Sequence, residues 1–177
     1  MYKRCSIALL GGFVMTFATL GASTVQDSQH VTKLLSEAKT LAFQLKEDAS
    51  IMESFTRSNV SAQGHLEAIA LVKEHVNALG RVADKLKDER SSASPWQKTA
   101  IDRIEPFLDE LGGYTSAAIE HVTGVRNHTL AEYNDYLEAN VDYSSDLAAM
   151  IENFVNYGKA RQRMDRLGGR LEISQAK

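Results

Sequence analysis

The chain has 177 residues, with 20 basic and 23 acidic side chains and a formal charge of −3. That length allows one domain or at most two. The mildly acidic balance argues against a nucleic-acid binder, which needs a basic face, and the single cysteine, Cys5, excludes an internal disulfide framework.

Residues 1–22 read as an export signal. Lys3 and Arg4 form a positive start, residues 7–20 are mostly apolar, and Gly21, Ala22 and Ser23 are small. The apolar run is short for a membrane span, which takes about 20 residues. A membrane contact is therefore expected only if this segment stays uncleaved. Its removal takes Cys5 with it, leaving a mature chain without thiolate chemistry or covalent haem attachment. Residues 23–177 form the mature domain, placed in the periplasm or outside the cell. They are numerous enough to bury one core without covalent staples.

Residues 23–30 are polar and expected to fray. From Val31 the apolar side chains recur at helical spacing through Leu34, Leu35, Ala38, Leu41, Leu45 and Met52, which predicts a first helix ending near Thr56 or Arg57. A turn follows, with Ser61 as N-cap of the second helix. That helix carries Leu66, Ile69, Ala70, Val76, Leu79, Val82, Ala83 and Leu86. Ser94-Pro95-Trp96-Gln97 opens the third: Ser94 caps, Pro95 takes the first helical position, and Gln97 closes a capping box. Its apolar phase runs from Ala100 to Val125. Pro106 removes one backbone hydrogen bond, so a kink is expected there. Gly112 and Gly113 weaken the same helix, and a break into two helices is the alternative to one bent rod.

The stretch from Thr129 to Arg166 predicts the longest helix. Thr129-Leu130-Ala131-Glu132 has the capping-box pattern, and Tyr133, Leu137, Val141, Leu147, Ile151 and Val155 lie on one stripe. Gly168-Gly169 is expected to end it or to mark its fraying tail. Short connections join antiparallel neighbours, so the fold predicted is all-α, an up-down-up-down antiparallel four-helix bundle with its third helix kinked at Pro106. The sequence shows no β pattern.

That topology gathers Met52, Glu53, His65, His121, His128 and Tyr133 at one end. His65 and His121 lie near the apolar stripes of their helices and are the candidate metal ligands, with Met52 or His128 as possible companions. Facing helices of bundles build such sites, and a methionine with a histidine would suit haem. The reading preferred over this is that the histidines are half-exposed residues filling the wet end of the core. No Glu-x-x-His occurs in the mature chain, and no two histidines share a helix at a spacing of three or four. No cofactor is therefore expected; haem or a transition metal is the alternative.

Asp48, His75, Gly112, Gly113, Asn140 and Ser144 should lie at one middle height. They could leave a gap for a small ligand or water. Alternatively, the glycines let helices approach, Asn140 and Ser144 turn outward, and Asp48 is exposed. Lys159, Arg161, Arg163, Arg166 and Arg170 crowd the end of the fourth helix. There they complement its dipole or meet an anionic surface.

Three stretches, Met52-Glu53-Ser54-Phe55-Thr56-Arg57-Ser58, Ser94-Pro95-Trp96-Gln97 and Phe154-Val155-Asn156-Tyr157-Gly158, resemble a set of uncharacterised exported bacterial proteins with a predicted helical bundle. The resemblance implies export and an all-helical fold, and brings no activity. The architecture is also similar to cytochrome b562-like and chemoreceptor-sensor bundles, a likeness of fold that licenses no function. With no nucleophile elbow, phosphate loop or cysteine nucleophile in the mature chain, the function expected is non-catalytic. It is an exported interaction or binding protein whose partner is another protein or a second copy. A metal- or haem-binding bundle is the alternative.

Overall fold

A computed structural model describes residues 26–124 and 131–171. The export signal with Cys5, and Val125, His128, Thr129 and Leu130, lie outside the described residues. Among those described there is no strand, and no helix is long and apolar enough to cross a membrane. Four helices pack together: α1 (Gln29–Ser54), α2 (Ala62–Asp88), α3 (Pro95–Gly124) and α4 (Ala131–Arg170). Their main contacts form a closed ring, with α1 against α2 and α4, and α3 against α2 and α4.

Each helix buries one stripe, as its periodicity requires. Val31, Leu35, Leu45 and Met52 of α1 meet Ile69, Leu79 and Leu86 of α2, Ile104 and Leu111 of α3, and Leu137, Leu147 and Ile151 of α4 in one core. Burying a side chain of this size contributes roughly 1.5–3 kcal/mol. In α2 the expected phase is off by a small step: Ala70 is exposed, while Ala68 and Val72 are buried. His65, Ile69, Val72 and Leu79 make the true stripe, so a histidine is its first member.

The helix starts are mostly where expected. Ser61 Oγ accepts from Gly64 N–H at 3.2 Å. Gln97 Oε1 accepts from Ser94 N–H at 3.0 Å, but Ser94 Oγ is buried with no hydrogen-bond partner, so the box is one-sided. The fraying expected before Val31 is not seen at residues 27 and 28. Ser28 caps α1, its oxygen accepting from Val31 N–H at 3.4 Å, and long-range bonds hold both residues. Pro106 and Gly112-Gly113 lie within a continuous α3. α4 likewise runs through Gly168-Gly169 to Arg170. Glycine costs a helix about 1 kcal/mol without breaking it.

The glycines differ in what surrounds them. A Cβ at Gly112 or Gly113 would meet nothing within 4 Å, so neither serves a close helix approach. A Cβ at Gly158 would lie 2.8 Å from Cη2 of Trp96. That indole cannot easily retreat: its Nε1–H donates to Asp27 Oδ1 at 2.7 Å, and its ring meets Tyr157 edge-on at 5.5 Å. Gly158→Ala should therefore destabilise the fold by about 1–3 kcal/mol. Gly112→Ala and Gly113→Ala should each stabilise it by roughly 0.5–1 kcal/mol. Denaturant unfolding of the three variants checks both signs.

Candidate functional site

The histidines singled out by the sequence do come together, through a third residue. His65, near the start of α2, is fully buried, and His121, in the last turn of α3, is 7% exposed. Both pack on Tyr133 of α4, which is itself fully buried. His65 Nδ1 lies 3.0 Å from the Tyr133 hydroxyl, a hydrogen bond whose direction depends on the imidazole tautomer. The His121 ring stacks on Tyr133 with centroids 5.5 Å apart and planes 23° apart, while His65 meets it edge-on at 5.5 Å. Phe55 closes the outer side of His65 at 5.8 Å, and Tyr136 meets His121 edge-on at 6.2 Å.

The expectation of half-exposed histidines is thus corrected. Both are core residues, because facing aromatic rings and a hydroxyl cover surfaces that would otherwise need water. Met52 is buried in the hydrophobic core. Glu53 is engaged by Arg57 four residues on, whose Nη2 donates to Oε2 at 2.6 Å. A structural or catalytic metal needs at least three donors converging at about 2 Å. Among the described residues no three His, Cys, Asp or Glu side chains come together in that way. The phenol between the imidazoles is engaged through its ring by both and through its oxygen by His65. The donor set at His65 and His121 therefore does not favour a metal or haem.

Burial pushes the Tyr133 hydroxyl up to about 12. A phenolate in this apolar setting would lose its hydration, so the neutral form is held.

The middle height of the bundle is filled by paired polar groups. Thr115 Oγ1 donates to Asn140 Oδ1 at 2.8 Å, and Asn140 Nδ2 donates to the Tyr136 carbonyl at 2.8 Å. Ser144 Oγ donates to the Val141 carbonyl at 3.0 Å. Asn140 and Ser144 are therefore buried and satisfied, not turned outward. Asp48 is not free in solvent either: its Oδ2 lies 2.7 Å from His75 Nδ1, tying α1 to α2. Thr115 escaped sequence reading because a threonine on an apolar stripe announces no partner twenty-five residues away.

The other end is closed by Gln97, fully buried. Besides its local bond, Oε1 accepts from Ser28 N–H at 3.0 Å, and Nε2 donates to the Ser28 carbonyl at 2.8 Å and to Thr32 Oγ1 at 3.0 Å. Asp27 adds the bond to Trp96 and an ion pair to Arg161 of α4 at 3.7 Å.

Outside, α3 and α4 frame a groove of about 640 Å³ lined by Trp96, Arg103, Phe107, Met150, Phe154 and Tyr157. It leads onto the far end of α4. Past Gly158 none of the described residues is buried, and Met164, Leu167 and Leu171 are 67%, 43% and 65% exposed. Residues 159–170 thus project from the bundle by roughly 18 Å of helix.

No protein family, curated protein sequence or solved structure matches the chain.

The Tyr133 environment has a pH consequence. Below about pH 10 the folded and unfolded chains both keep the phenolic proton, and the stability is intact. From about pH 10 to 12 the unfolded chain loses it first, so stability should fall as pH rises, by on the order of 2 kcal/mol. Tyr133→Phe should flatten that decline and, at neutral pH, cost about 1–2 kcal/mol for the orphaned His65 bond. Denaturant unfolding at neutral pH and at about pH 11 reads both. An equal alkaline decline in the two proteins would contradict the assignment.

Proposed function

We propose that the chain is an exported, non-catalytic interaction module. The bundle is the scaffold, and the outer surface of α4 does the binding. One observation carries this reading: Tyr157, Met164, Leu167 and Leu171 recur at spacings of seven, three and four along one helix, and all are exposed. Exposed apolar residues scattered singly need no explanation, but a contiguous line of large ones marks a contact surface. In the interior, the buried His65, Thr115, Asn140 and Gln97 already have partners within the fold.

Export is supported by the basic start, apolar run and small residues of residues 1–23. An up-down-up-down path is supported by the closed ring of helix contacts and by three short connections. Pro106 bends α3, since the carbonyl four residues back has no N–H to meet and the ring crowds it. The exposed position of Pro106 suits a bend wrapping the rod around the core.

Leu167→Asp tests the reading, because Leu167 contributes nothing to the core cluster. The thermal midpoint should stay within about 2 °C of the parent. The variant should lose self-association in sedimentation velocity, or capture of protein or membrane material from an envelope extract of the source cells. Binding that survives the change, or a parent protein that binds nothing in any of these assays, would sink the proposal.

A further inference from the structure

We infer that the projecting end of α4 docks the bundle, end-on, onto an anionic phospholipid surface; the inference rests on the α4 binding surface proposed above and names its partner. Residues 159–171 carry α4 past the ends of the other three helices, and Met164, Leu167 and Leu171 are exposed there. At 100° per residue they sort into two adjacent stripes. Ala160, Met164, Leu167 and Leu171 form the apolar one. Lys159, Arg163, Arg166 and Arg170 form the basic one, at spacings of four, three and four. Asp165 is the only acid among residues 159–171. The chain as a whole is negative, at −3, so positive charge is concentrated at this tip and the remainder is acidic. An anionic plane would attract the tip and repel the body, which fixes the orientation.

This is the pattern of a helix that lies in a membrane interface, with apolar residues entering the acyl boundary and guanidinium groups meeting phosphate. At the root of the projection Asp27 is fastened to Trp96 and Arg161, so the basic tip extends from a fixed joint.

A second copy is the competing occupant, since spacings of three and four also make a coiled-coil seam. Charge decides against it. With Tyr157, Ala160, Met164, Leu167 and Leu171 as the seam, the charged residues flanking it are Arg161, Arg163 and Arg170, all basic. Two copies would meet with like charges and no flanking ion pair.

The test compares the full chain on vesicles of phosphatidylcholine alone and of phosphatidylcholine mixed with phosphatidylglycerol, by flotation at low and high salt. The quantity read is the ratio of affinities for the two vesicles. Each basic side chain near an anionic surface is worth roughly fivefold. With four such side chains the ratio should be about six-hundredfold at low salt, fall steeply at high salt, and collapse in the triple variant Arg163→Gln, Arg166→Gln, Arg170→Gln. Met164→Ser with Leu167→Ser should weaken binding to both vesicles. Equal affinity for the two vesicles overturns the inference, as does a preference that survives the triple variant. A dimer in vesicle-free solution that Met164→Ser and Leu167→Ser abolish would assign the tip to a second copy. If vesicles are ignored but a soluble protein is captured through Leu167, the lipid assignment falls and the interaction module stands.

Discussion

A one-sided helix can hide its apolar stripe only where it has neighbours. That constraint shapes the whole molecule. α1, α2 and α3 have 26, 27 and 30 residues, whereas α4 has 40. Over the shared length the four stripes close on one another, and Leu45, Leu79, Leu111 and Leu147 are fully buried. Past Gly158 the other three helices have run out. The same periodicity then presents its apolar residues to the outside, and the residues beside them turn basic.

The core supplies most of the favourable free energy, but a greasy interior alone would allow the rods to slide past one another. Polar pairs set the register. His65 and Tyr133 join α2 to α4 across the bundle, two helices that otherwise touch little. Thr115 and Asn140 join α3 to α4, Asp48 and His75 join α1 to α2, and Gln97 joins α3 to the start of α1. Each bond contributes about 1 kcal/mol when made. Each costs more when a slip leaves a buried group unpaired, so the pairs discriminate between registers more than they stabilise.

The all-helical class, the four rods and most helix ends were legible in the sequence, because periodicity and capping are local signals. What was not legible is long-range. His65 is on the stripe of α2 by spacing, but its burial depends on a tyrosine sixty-eight positions away. Gln97 reads as half of a capping box, and it is; its other bonds reach Ser28 and Thr32 of a different helix. Gly158 looks like a weak point in α4 until the indole of Trp96 is laid against it. Gly112 and Gly113 look like a contact and are not one. Asp27-Ser28 reads as a polar tail because its anchors, Trp96 and Arg161, lie in α3 and α4. The exposed end of α4 was half visible: its positive charge could be counted, but only the lengths of the other helices show that none of them reaches the apolar residues beside it.

Trp96 is the only tryptophan in the chain. It is wedged where the entering segment, α3 and the root of the projecting helix converge, with its indole N–H held by Asp27 and its ring against Gly158 and Tyr157. The molecule thus carries a built-in optical probe at its busiest joint. Intrinsic emission, with no dye attached, would register any loosening of that joint as a red shift, while the distant His65–Tyr133 end would stay silent at that wavelength.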